Sequence, residues 1–146
     1  MLESFATPSN RKRTAIFLGL SGVLAVGAAF VGISDNPPGL VLSYISATLF
    51  IVALVHPWKH PRNYWLLISG SVLAFVLLVV LHNAFDALAS GSSGVADDLL
   101  EGVGTAAFLV ATLICPPALL VGAFGALVTS RRERHSHPGG AAGTVS

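Results

Sequence analysis

Apolar positions in this chain neither alternate with polar ones nor form a single stripe. They run together in four blocks, residues 14–33, 38–55, 64–88 and 103–129. The hydrocarbon core of a bilayer is about 30 Å thick and asks for about 20 apolar residues of helix. The first block holds no charge, and the third holds none before Asp86. The second is somewhat short, but Pro37 and Pro38 can extend it, because proline fits the first turn of a helix. The fourth is long enough to tilt or kink. Strands of a membrane barrel would alternate in segments of about ten residues. The pattern therefore predicts an all-α polytopic membrane protein, a bundle of four transmembrane helices.

The links agree with that count. Ser34-Asp35-Asn36-Pro37-Pro38-Gly39 is dense in turn formers and predicts a tight hairpin between spans one and two. Residues 56–63 hold Pro57 and Pro61, which stop one helix before the next begins. The third link, residues 89–102, is the longest and starts with Ser90-Gly91-Ser92-Ser93-Gly94. The chain thus divides into a basic segment at 1–13, a transmembrane domain at 14–130 and a polar tail at 131–146, read as disordered after Arg134. No internal repeat stands out.

Composition sharpens the class. Only 10% of residues are charged and 53% are hydrophobic, whereas a soluble domain carries roughly a quarter charged residues. The net charge of +1 says little, but its placement says much. The eight basic residues are Arg11, Lys12, Arg13, Lys59, Arg62, Arg131, Arg132 and Arg134, and four spans thread all of them to one side. The opposite side receives Asp35, Asp86, Asp97, Asp98 and Glu101. Basic residues in short loops stay cytoplasmic, so both ends are expected inside, in a plasma membrane of prokaryotic type. Arg11-Lys12-Arg13 before an apolar run also resembles a signal peptide. The run is about 20 residues, however, longer than the usual core of about 7–15. The basic clusters flank spans rather than line one face, so no nucleic-acid partner is expected.

Candidate chemistry is sparse. His82, Asp86, Asp97, Asp98 and Glu101 gather towards the outer side, with Asn83 beside them. His82 and Asp86 share a helix face, and carboxylates with an imidazole can hold Ca²⁺, Mg²⁺ or Zn²⁺. A plainer reading gives Asp98 and Glu101 capping-box spacing at the start of span four, where acids meet the positive end of the helix dipole. The histidines invite haem, yet His56 and His60 lie at one end and His82 at the other, so no pair ligates within one chain. The residues name no cofactor. Cys115 stands alone, which excludes a disulfide framework and thiol-redox chemistry.

Pro116 and Pro117 interrupt span four and take the helical partners from the Thr112 and Leu113 carbonyls. Such breaks line ion sites in some transporters, or are simple kinks re-satisfied by neighbours such as Thr112. A proton-coupled exporter carries its ion on an ionisable residue within a span. Spans one, two and four have none inside, which argues against the small four-helix multidrug exporters with their embedded glutamate. Ser21, Ala25 and Ala29 on span one, flanked by Ala28 and Gly32, and Ala118, Gly122 and Ala126 on span four, form rows that let helices approach closely. These rows are expected to bring spans one and four together, or to receive another protein or a second copy. Trp58, Lys59, Arg62, Tyr64 and Trp65 cluster where a cytoplasmic lipid boundary would lie.

The leading expectation is a non-enzymatic membrane protein, an accessory or assembly subunit or a homo-oligomer, whose partners are the bilayer and other membrane helices. A small oligomeric transporter or channel comes second. A metal-binding sensor or membrane enzyme using the outer cluster comes third.

Overall fold

A computed structural model describes residues 8–33, 36–91 and 93–135. Five helices follow in order: α1 Pro8–Val31, α2 Pro37–Val55, α3 Pro61–Ala89, α4 Val95–Leu113 and α5 Cys115–His135. The last two run end to end, giving four helical segments long and apolar enough to cross a membrane. The fold is therefore the all-helical, four-span arrangement that the hydrophobic blocks predict.

The stops and starts follow from backbone chemistry. α1 ends at Gly32, whose φ of +87° is the left-handed conformation that glycine adopts without steric cost. α2 and α3 each open on proline, after Asn36 and His60 in extended backbone. The residue before a proline is pushed to that region, and proline at the first helical position gives up no bond. Helices extend past the apolar blocks wherever polar turns continue them outside the hydrocarbon. α1 begins at Pro8 rather than residue 14, and α4 at Val95 rather than residue 103. The long third link thereby shrinks to residues 90–94. At the other end α5 carries residues 131–135 as helix, so the expected tail starts later. Residues 1–7, 34–35, 92 and 136–146, which include part of that tail, the basic segment's start and Asp35, lie outside the described residues.

The chain is built as two helical hairpins. α1 packs along α2, while α3 runs antiparallel to α4 and α5. The hairpins join where α2 meets α5 and, more slightly, α4. A compact core of Ile51, Val55, Tyr64, Ala118 and Ala126 sits at that junction. Among the described residues α1 approaches α2 alone, so the expected contact between spans one and four is not made. The reason lies in both rows of small residues. Ser21 and Ala28 on α1 are buried against α2, and on α5 Gly122 meets Tyr64 and Ile68 of α3 while Ala118 and Ala126 lie in the core with Ile51 and Val55 of α2.

Elsewhere large apolar side chains point outward on every helix, among them Phe30, Leu73, Leu99 and Phe124. A surface of this kind is stable against acyl chains and not against water.

Candidate functional site

Close helix approach explains what the small residues do. On α5, Ala118, Gly122 and Ala126 are all buried. A methyl group at Gly122 would stand 2.8 Å from the Ile68 Cγ1 and 3.3 Å from the Tyr64 carbonyl oxygen, and one at Gly125 would collide with the Tyr64 ring. On α1, Ser21 is buried whereas Ala25 and Ala29 are exposed. The row thus splits between two faces. Its buried face is Ser21 and Ala28, and its outward face is Gly22, Ala25 and Ala29.

Ser21 is half of a polar clasp. Its hydroxyl donates to the Ser46 carbonyl at 2.9 Å, and the Ser46 hydroxyl donates to the Ser21 carbonyl at 2.8 Å. Each hydroxyl has one hydrogen, so the Oγ–Oγ separation of 3.2 Å is proximity and not a third bond. Each carbonyl has a second lone pair for this purpose beyond its helical bond. Ser46 could have been singled out in the sequence as a hydroxyl within an apolar span, where interhelical hydrogen bonds are common.

The proline break has a specific partner. Ile114 separates α4 from α5, and Pro116 supplies no N–H to the Thr112 carbonyl. That carbonyl accepts the Tyr44 hydroxyl of α2 at 3.0 Å. Thr112 does not perform this service itself, because its own hydroxyl donates to the Phe108 carbonyl at 2.8 Å. Pro117 is fully buried and Cys115 is buried beside the break. The kink is thus a packed joint between hairpins.

At the acidic end the five residues stand apart. The Nδ1 of His82 lies 3.0 Å from the Gly104 carbonyl oxygen, and its ring centroid is 5.1 Å from that of Phe108. A carbonyl only accepts, so Nδ1 carries the proton. Gly104 is buried against this part of α3, where a methyl would stand 3.4 Å from Phe85 and 3.6 Å from the His82 Nδ1. Asp86, Asp98 and Glu101 are exposed and Asp97 is half-buried. Among the described residues no three of His, Cys, Asp or Glu come close enough to hold a metal ion. The capping box is not formed either: the N-cap of α4 is Gly94, with φ +70° and no side-chain cap. Asp97 and Asp98 fall in the first turn, where the helix dipole favours them.

The basic end is the best-formed site. Asn10 of α1, Lys59 of the α2–α3 link and Arg132 of α5 line one cavity of about 440 Å³. Lys59, Arg62 and Trp65 are exposed. Tyr64, by contrast, is buried, and its hydroxyl shares its one hydrogen between the Val55 and Trp58 carbonyls, 3.3 and 3.4 Å away. Its ring meets Trp58 edge-on, with centroids 5.5 Å apart. Tyr64 thus packs into the core cluster with Ile51, Val55, Ala118 and Ala126. His56, which the sequence marked only as a terminal histidine, stands 6.1 Å from the Phe17 ring. Its Nδ1 lies 3.1 Å from the Ala53 carbonyl, while its buried Nε2 has no hydrogen-bond partner.

Chemically, these arrangements join helices and meet charged interfaces. No nucleophile is paired with a base among the described side-chain contacts. No protein-family model matches the chain, and no curated protein or solved structure matches it.

Proposed function

We infer that the chain is a non-catalytic subunit of a membrane assembly, joined to further transmembrane helices, its own or a partner's, through the outward face of α1. The observation that carries this reading is the unshared flank of α1. That helix is backed by α2 alone, and its outward row of Gly22, Ala25 and Ala29 has no large side chain. Nothing lies within 4 Å of the position a Gly22 methyl would take. In lipid there is no hydrophobic drive between helices, and small residues at the surface are what allow backbones to pack. A lipid-facing helix with no partner has no need of them.

The positive-inside rule adds the orientation: the basic end faces the cytoplasm, with both termini on that side of a plasma membrane. Reporter fusions at either end, active only in the cytoplasm, test that placement.

The assembly is tested by native mass spectrometry of the chain gently released from its own membrane. A mass above that of the 15.0 kDa chain, reduced to the bare chain by Ala25→Leu with Ala29→Leu, is the expected result. A bare monomer that crosslinks to nothing in intact membranes overturns the reading.

A further inference from the structure

We propose that the basic end holds one anionic phospholipid, its phosphate between Lys59 and Arg132 and an acyl chain in the groove between α2 and α5. Two cavities meet there. The polar one, of about 440 Å³, is lined by Trp58, Lys59, Thr129, Arg132 and Glu133. The second, of about 450 Å³, is apolar and is lined by Val52, Val55, Leu120, Val121 and Phe124. His56 lines both, so the two cavities adjoin.

Their directions fit an amphiphile. From His56 back to Thr48 the groove follows α2 for about 12 Å into the apolar span. The polar cavity lies at the helix ends, where headgroups sit. An acyl chain along the groove therefore leaves its phosphate level with Lys59 and Arg132.

The charges favour an anion. Two cations face one carboxylate, Glu133, across the polar cavity, and Arg11, Lys12 and Arg13 follow Asn10 on the adjoining turns of α1. Basic pockets between transmembrane helices recognise acidic headgroups in this way. Water-filled space at the same place would leave the apolar walls of the lower groove wet, which an acyl chain corrects.

The test is a titration of the full chain in mild detergent, read by native mass spectrometry. The probes are phosphatidylglycerol and phosphatidylcholine with identical acyl chains, and inorganic phosphate. Each cation near an anionic headgroup is worth about fivefold in affinity, so Lys59→Gln with Arg132→Gln lowers phosphatidylglycerol binding about 25-fold. Arg131→Gln removes the same kind of charge from a neighbouring exposed position outside the cavity and leaves binding unchanged. Phosphatidylcholine binds more weakly than phosphatidylglycerol, and inorganic phosphate does not displace the lipid. The proposal is overturned by equal binding of the two lipids, by a double variant that binds as the parent does, or by an Arg131→Gln loss matching the double variant. Displacement by inorganic phosphate would make this a free-phosphate site and overturn the acyl-chain half. Unchanged helical circular dichroism in each variant shows that the fold persists.

Discussion

The two hairpins solve one problem by different means. In lipid, two apolar helices gain nothing from hiding from each other, so each pair needs polar bonds or close packing. The α1–α2 hairpin uses a polar clasp, Ser21 with Ser46, and one tight backbone contact near its turn. The hairpin of α3 with α4 and α5 relies mainly on shape, with Tyr64 and Ile68 set into the spaces left by Gly122 and Gly125. Both pairs pack along their length, but among the described residues α1 has α2 as its one neighbouring helix whereas α3 touches both α4 and α5, so the far flank of α1 is left uncovered.

The largest effect is expected at the turn of the first hairpin. A methyl group at Gly39, fixed to the helix backbone, would collide with the Gly32 carbonyl, which is itself backbone, and neither can turn aside. Gly39→Ala is expected to cost about 3 kcal/mol or more, beyond the ordinary overpacking range. Unfolding in a mixed-detergent titration measures it, and a loss below about 1 kcal/mol would mean that the helices part easily.

Next comes the second hairpin. Gly125→Ala drives a methyl into the Tyr64 ring, which is held by its hydroxyl bonds and by Trp58. A loss of about 2 kcal/mol is expected. Gly70→Ala, at a glycine with nothing within 4 Å, is the matched control and should be neutral or stabilising, since alanine is the better helix former. Equal losses at both sites would show that the effect comes from glycine itself and not from shape.

The clasp ranks third. Ser21→Ala and Ser46→Ala should each cost about 1 kcal/mol, in line with hydroxyl bonds between membrane helices. Each leaves the other hydroxyl its own carbonyl acceptor. A double-mutant cycle separates the two bonds: independent bonds add, while a cooperative clasp gives a coupling of about 0.5 kcal/mol or more.

What the sequence could reveal follows from where its information is local. Spans are legible because every residue in a block answers to the bilayer, so a charge-free run of about 20 residues is decisive. Facing is not legible in the same way. With apolar residues all round α1, the spacing of Ser21, Ala25 and Ala29 looks like one face, and only the position of Ser46 shows that Ser21 and Ala28 face inward together. Tyr64 reads as a boundary aromatic because tyrosines favour that depth; the glycines that receive its ring lie on another helix. The acids of α4 are plain in the sequence, but the helix starts at Val95 with Gly94 as its N-cap, so Asp98 falls within the helix and caps nothing.

The smallest effect tests the joint between the hairpins. Tyr44 is 68 residues from Thr112, and no spacing rule connects them. The bond exists because Pro116 leaves the Thr112 carbonyl without its helical donor. The tyrosine hydroxyl is therefore expected to matter only while the proline is present. Tyr44→Phe alone should cost about 0.5–1 kcal/mol, the range for hydrogen bonds between membrane helices. Pro116→Ala returns an N–H to that position, which can then bond to the Thr112 carbonyl. In that background the loss from Tyr44→Phe should fall towards zero, and unfolding titrations of the four proteins measure the coupling. An undiminished loss would mean that Tyr44 acts through its ring in the packing, and that the opened backbone is answered by some other group.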